Sequence, residues 1–197
     1  MAGSRPLVIV IAGPNGAGKS TTAPSLLRDT LQVSEFVNAD TIAGGLSAFR
    51  PDSVAIAAGR AMLERIRHLA EARVDFAFET TLASRSFAPW LARLKRNGYH
   101  VHVLFLWLES ADLAVNRVAA RVRLGGHDVP EGTVRRRYQR GLRNLFGLYV
   151  PLADSWQVFD NSRAERPQLV ASGRRDGAEQ VANAPLWQRI TEAYREQ

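Results

Sequence analysis

Gly13-Pro14-Asn15-Gly16-Ala17-Gly18-Lys19-Ser20-Thr21 constrains this chain more than any other stretch. From Gly13 to Ser20 it fits the pattern G-x-x-x-x-G-K-[ST] without a mismatch. The glycines let the backbone curl so that successive N–H groups point inward at phosphate oxygens. Lys19 then supplies a compact charge for the β- and γ-phosphates, and the Ser20 hydroxyl is placed to ligate Mg²⁺. The flanks agree with that reading. Leu7 to Ala12 is a short β-branched run suited to a strand buried on both faces, and Ser20 to Asp29 reads as a helix whose N-terminus faces the anion.

Composition sharpens the point. Of 26 lysines and arginines only Lys19 and Lys95 are lysines, so lysine is kept at the loop in a chain that otherwise uses arginine. A planar guanidinium does not fit where an ammonium must sit between phosphates. The net charge of +7 implies an anionic partner: ATP, a phosphorylated substrate or nucleic acid. With no cysteine there is no disulfide and no thiolate metal site, which fits a reducing cytoplasmic setting. The apolar run at 7–12 is too short for a membrane span and leads into the loop, not into a cleavage site, so neither a membrane segment nor a signal peptide is expected.

The 197 residues suit one α/β domain. Further strands are expected at 35–37, 74–78, 101–108 and 156–159. The 35–37 strand is placed beside the first, and Gly44-Gly45 with Phe49-Arg50 are read as a loop. Helices are expected at roughly 51–72, with Ala55, Ala58, Met62, Ile66 and Leu69 inward, and after Ser86 and Ser110 as N-caps. Another follows Pro130 and runs to about Val150, a hairpin turns at Asp176-Gly177, and a last helix follows Pro185. Alternating strands and helices predict a parallel five-stranded sheet with helices on both faces, of adenylate-kinase type, with a helical lid at about 117–145.

In such sheets chemistry sits at the carboxyl ends of the strands. Asp40, Glu79 and Glu109 fall there. Asp40 reads two ways: as the general base that takes a proton from an acceptor hydroxyl, or as an N-cap for residues 41–43. Glu79 reads as a contact for Mg²⁺ or acceptor hydroxyls, or as a solvated strand end. Glu109, next to the capping Ser110, reads as structural. Arg121 and Arg123, then Arg135, Arg136 and Arg137, flank a glycine loop and could neutralise charge on a transferring phosphoryl group; the bland alternative is a solvated arginine face. His100 and His102 share a strand face without an acidic or cysteine partner, which argues against a metal site.

Five stretches together resemble the zeta toxin family of P-loop kinases, in particular its short members often described as predicted ABC-type ATPases. They are the phosphate loop, Val37-Asn38-Ala39-Asp40, Phe78-Glu79-Thr80-Thr81-Leu82, Gly125-Gly126-His127-Asp128-Val129-Pro130, and Phe159-Asp160-Asn161-Ser162. The resemblance runs from about Leu7 to Ser162. It implies an ATP- and Mg²⁺-dependent kinase in which Lys19 binds phosphates and Asp40 deprotonates the acceptor. Asn38, Glu79, Thr80 and Thr81 would shape the acceptor and metal site. The lid arginines would be Arg121 and one of Arg135 to Arg137, with Arg136 taken as the position. It also implies a small-molecule hydroxyl acceptor, for characterised members a UDP-activated amino sugar, and an antitoxin partner. A transporter ATPase is excluded, since neither L-S-G-G-Q nor an aspartate-glutamate pair after an apolar strand occurs. Antibiotic or polynucleotide kinases on the same scaffold, and a nucleotide-gated nucleic-acid binder, remain the alternatives; specific nucleic-acid binding is not expected.

Overall fold

Continuous apolar runs at 7–12, 76–78 and 103–107 dictate a sheet covered on both sides. The computed structural model, which describes residues 5–47, 51–163, 166–177 and 179–195, has that sheet at its centre. In chain order the strands are β1 (Leu7–Ala12), β2 (Glu35–Val37), β3 (Phe76–Thr80), β4 (His100–Trp107), β5 (Ser155–Asp160), β6 (Gln168–Arg174) and β7 (Gln180–Val181). They form one seven-stranded sheet in the order β2-β3-β1-β4-β5-β6-β7. The first five are parallel, with β1 between β3 and β4, and β6 and β7 add antiparallel.

Two expectations change here. β2 does not lie beside β1; it pairs with β3, in register from Glu35↔Phe76 to Val37↔Phe78. The expected C-terminal hairpin is β6–β7, and it extends the sheet along β5 instead of standing apart. Strand polarity explains the latter: Trp156 and Val158 on β5, and Val170 and Ala171 on β6, are buried in the same core, so β5 cannot be left as an open edge.

The helices are α1 (Lys19–Ser25), α2 (Ala39–Leu46), α3 (Ala55–Glu71), α4 (Phe87–Arg96), α5 (Ala111–Arg123), α6 (Glu131–Asn144), α7 (Val150–Leu152) and α8 (Ala184–Arg195). A 3₁₀ turn, Pro51–Val54, precedes α3, and π turns follow α1 and α6 at Leu26–Thr30 and Leu145–Tyr149. Gly44 and Gly45 are helical, not a loop; the Asn38 cap starts α2 and Ala43 buries, which together outweigh the roughly 1 kcal/mol cost of each helical glycine. Phe49 and Arg50 lie outside the described residues. On α3 the inward stripe is Ala58, Met62, Ile66 and Leu69, while Ala55 is exposed. Ser110 caps α5 through Leu113 N–H, but Ser86 makes no cap: its hydroxyl is bonded to Ser84 Oγ at 2.8 Å.

One core holds Val8, Val10, Phe76, Phe78, Val103 and Phe105 under α3, α4 and α8. The other holds Ile9, Ile11, Leu104 and Leu106 under α1 and α5. Helix α6 serves both, with Val134 in the second core and Leu142 in the first. It therefore crosses over the carboxyl ends of the strands, where Tyr138 donates to Leu108 O at 2.7 Å.

Candidate active site

Between β1 and α1 the loop curls through left-handed glycines. Gly16 and Gly18 sit at φ 78 and 77. A Cβ on Gly16 would lie 2.8 Å from Ala114 O, and one on Gly18 would lie 2.7 Å from Asn161 Nδ2, so neither conformation nor space admits another residue. Gly13, Pro14, Asn15 and Ala17 are buried, whereas Ser20 and Thr21 are exposed.

Lys19 is 6% exposed, donates to Pro14 O at 2.9 Å and lies 3.6 Å from Glu79 Oε1. Burial pulls its pKa below the ordinary lysine value; the charges of Glu79 and Asp40 oppose that, and Arg121 reinforces it. The other Glu79 oxygen accepts from Ser20 Oγ at 2.7 Å and from Asn38 Nδ2 at 2.7 Å. Asn38 Nδ2 also lies 3.1 Å from Ser20 Oγ. Lys19, Ser20, Asn38 and Glu79 thus converge on one point, because β3 lies directly beside β1 and brings Glu79 level with Ile11.

Asn38 has a second task that its sequence context did not reveal. Its Oδ1 accepts the N–H groups of Asp40 and Thr41, at 2.7 and 3.4 Å, making Asn38 the N-cap of α2. The capping alternative for Asp40 therefore falls. Asp40 is the exposed second residue of the helix, and its carboxylate accepts no hydrogen bond among the described residues. Its charge acts on both Lys19 and Arg137. Thr80 and Thr81 spend their hydroxyl oxygens locally, accepting Leu82 N–H at 3.1 Å and Ala83 N–H at 3.5 Å.

The arginines separate cleanly. Arg121 donates to His127 O at 2.7 Å across the glycine turn. Arg135 is tied to Asp112 at 2.6 Å and Glu131 at 2.8 Å, and exposed Arg136 donates to Thr133 Oγ1 at 3.2 Å. Arg137 alone of the three reaches the phosphate loop, at 3.4 Å from Asn15 Oδ1. Position 137 shares a helical stripe with Gly141 and Asn144, which face the loop after β3, and position 136 is turned off that stripe by one residue. Arg136, the position taken from the sequence, makes its contact within α6, and Arg137 makes the contact to the loop.

Arg117 and Asn144 escaped the sequence reading, and Asn161 entered it only as part of the 159–162 stretch, with no role given to it. Arg117 donates to Asn161 O at 2.7 Å and Ser162 O at 2.9 Å, and Asn161 donates to Ala17 O at 2.8 Å, clamping the phosphate loop to the end of β5. Buried Asn144 donates to Leu82 O at 2.6 Å, holding the turn after β3, where Leu82 stands at φ 56. All three bind backbone carbonyls, which leave no pattern in sequence; the one available signal was that Arg117 lies one turn before Arg121 on α5.

The residues present fit a nucleoside triphosphate with a divalent ion. The loop N–H groups and Lys19 form an anion cradle, and the Ser20 hydroxyl with the Glu79 carboxylate offers hard oxygen donors beside it. Elsewhere, no cluster of three metal-ligating side chains occurs among the described residues, and His100 and His102 share Ser155 Oγ at 2.9 and 2.8 Å. No helix among them is long and apolar enough to cross a membrane.

Several known proteins are similar to this chain. An uncharacterized protein of Haemophilus influenzae is 31% identical over 130 residues, covering 66% of this chain and 91% of its own length. Among solved structures, a chain of the AvrRxo1-ORF1:-ORF2 complex with ATP superposes with a TM-score of 0.71 at 17% identity over 96% of this chain. This chain spans 64% of that one. A chain from the PezAT chromosomal toxin-antitoxin system of Streptococcus pneumoniae gives 0.63 at 14% identity, covering 100% of this chain and 88% of that one. The Pnkp1/Rnl/Hen1 RNA repair complex contributes a third, at 0.55 and 15% identity over 75% of this chain and 47% of that one. At these identities the structures share the fold with this chain. The AAA domain family matches residues 8–143, and the chain belongs to that family.

Proposed function

We propose that this chain is an ATP-dependent kinase, zeta-toxin-like, that moves a γ-phosphoryl group onto a hydroxyl of a small molecule, with a UDP-activated amino sugar as the first acceptor class to test. The observation that supports this reading is the Glu79 carboxylate, shared by Ser20 and Asn38 and 3.6 Å from Lys19, with the exposed Asp40 carboxylate in the first turn of the adjoining helix. When bound, ATP supplies the phosphoryl group and Mg²⁺ neutralises its oxygens.

In this reading the loop N–H groups and Lys19 hold the β- and γ-phosphates, while Ser20 and Glu79 hold the ion. Asn38 aims Glu79 and, as the cap of α2, also presents Asp40. Asp40 takes the acceptor hydroxyl's proton as its oxygen bonds the γ-phosphorus, and the bond to the β-phosphate oxygen breaks to release ADP. Arg121 and Arg137 face the oxygens on which charge builds. The whole chain acts as one kinase domain. In the same proposal the lid is the region at about 117–145, in which Arg121 and Arg137 stand on either side of the 125–130 loop. The same proposal includes a cytoplasmic setting and an antitoxin partner, a kind of partner that the PezAT system has.

The test is to incubate the protein with γ-labelled ATP, Mg²⁺ and a metabolite extract, and to identify the labelled product. Transfer of label to a small hydroxyl compound is expected. Label appearing only on nucleic-acid ends would favour the polynucleotide alternative, and its absence from every acceptor would overturn the reading.

A further inference from the structure

On the face of the sheet away from the phosphate loop's helix, α3 and α4 do not close over their core. Two hollows open between them, of about 260 and 650 Å³, and share Arg67, Trp90 and Arg93 as a common wall. Together they make one groove. Its floor is apolar: Ile66, Leu94 and Tyr99 are buried beneath it, and Phe87 and Pro89 line one end. Trp90 is held rigidly from inside by Phe76, Phe78 and Phe87, with ring centroids at 6.2, 5.9 and 6.5 Å, while its outer edge lines both hollows.

The rims carry positive charge. Arg67, Arg73 and Arg93 line the groove against a single acid, Glu71. Arg67 and Arg93 are exposed and make no ion pair among the described residues. Along α3 the groove continues as an exposed stripe at helical spacing, with Leu63 37% and Ile56 77% accessible and Arg60 between them. From Ser86 to Asn97 the α4 wall is about 16 Å long, at 1.5 Å per residue, the length of three helical turns.

We infer that this groove is a docking site for an amphipathic helix of a partner protein, with apolar anchors on one face and acidic flanks. Leucine-sized anchors at i, i+3 or i+4, and i+7 would meet Leu63, Trp90 and the floor, and carboxylates on the helix shoulders would meet Arg67, Arg73 and Arg93. Tryptophan and arginine are the residues that most often dominate binding energy at such surfaces. A flat lipid surface does not fill a concave site, and a nucleic-acid backbone gains nothing from an apolar floor, so charge and shape together select the helix. Nothing in this inference depends on the kinase reading, because none of the groove residues belongs to the nucleotide cradle.

The probe is a fluorescein-labelled 15-residue helical peptide with leucines at those spacings and glutamates elsewhere, titrated by fluorescence anisotropy against the full chain. Saturable binding that weakens with salt is expected, with a shift of the Trp90 indole N–H resonance. The exposed double change Arg67→Glu/Arg93→Glu should weaken binding at least tenfold while leaving nucleotide binding unchanged, and Trp90→Ala should do so through the floor. A peptide with lysines replacing the glutamates should not bind. No binding, equal binding of the lysine peptide, or unchanged affinity in the charge-reversed chain would overturn the inference. So would a dimer in sedimentation that Trp90→Ala dissolves, since the face would then belong to a second copy.

Discussion

The chain has two lysines, and each is paired with a carboxylate, one at either end of the sheet. At the carboxyl ends Lys19 stands 3.6 Å from Glu79; at the amino ends Lys95 stands 2.7 Å from Asp154. The second pair is closed on every side. Lys95 also donates to Leu152 O at 2.8 Å, and Asp154 accepts Val101 N–H at 2.9 Å, so backbone groups lock both partners. The first pair is loose and shared: Glu79 divides its oxygens among Ser20, Asn38 and Lys19, and the one other bond of Lys19 is to the loop itself. A pair tied to backbone is a staple. A pair tied to other side chains can exchange partners, as a phosphate-binding site must.

Lys19→Ala tests the exchangeable pair and carries the largest expected effect. At about 4 Å and an effective dielectric near 20, one charge contact is worth ~4 kcal/mol, or ~10³ in phosphoryl transfer. Melting temperature should barely move, since the lysine's burial already costs free energy. Assays of labelled phosphate transfer and thermal melting check both halves; a folded variant with wild-type turnover would remove Lys19 from the mechanism.

Asp40→Asn comes next. Because Asn38 and not Asp40 caps α2, this change should leave both melting temperature and ATP affinity intact. Loss of the proton acceptor should cut turnover by ~10², the low end for general-base catalysis, since phosphoryl transfer has a loose transition state. Full activity in the asparagine variant would reassign the base.

The same pairs show how far the sequence could be read. The phosphate loop between β1 and α1 and the place of Glu79 near the end of β3 were legible because glycine spacing and strand ends are local. Lysine scarcity pointed at Lys19, but it applies equally to Lys95, whose role is structural; the scarcity marks sites where an ammonium fits and not what the ammonium does. The position of β2 was misread because neighbouring order in sequence does not fix neighbouring order in a sheet. Which of Arg135, Arg136 and Arg137 contacts the phosphate loop depends on the path of α6 across the strand ends, which the packing of Val134 and Leu142 into different cores reveals. Arg117 and Asn144 were invisible, and the role of Asn161 unread, because their partners are carbonyls.

Lys95→Met should behave as the mirror image of Lys19→Ala. Asp154, whose burial would raise its pKa, is held below the usual carboxylate value by the hydrogen bond from Lys95, then by Val101 N–H and the lysine's charge. Removing the ammonium strands that carboxylate with one donor. A loss of about 2 kcal/mol is expected, roughly 4–8 °C in a chain of this size, with nucleotide turnover unchanged. If Lys95→Met instead altered turnover at constant melting temperature, the distinction between staple and exchangeable pair would collapse.

The smallest effect concerns pH, and it too should report on the amino ends alone. Burial, helped by the neighbouring charge of His100, pushes the His102 pKa down to about 4 from 6.5. A neutral buried imidazole stabilises the fold fully above 6.5, and that contribution is lost as pH falls toward 4, because the unfolded chain takes up the proton first. Between pH 7 and 5.5 the loss should reach about 1 kcal/mol, worth roughly 2–4 °C. Asp154 does not interfere: its folded pKa lies below 3.8, so its stabilisation is retained throughout that interval and lost only at lower pH. His102→Gln keeps a neutral polar side chain near Ser155, whose hydroxyl His102 meets at 2.8 Å, while removing the titration. Melting curves of the two chains at pH 7 and 5.5 should therefore diverge, with the glutamine variant losing less on acidification. Parallel losses in both would show that His102 is not what couples the amino-terminal ends of the sheet to pH.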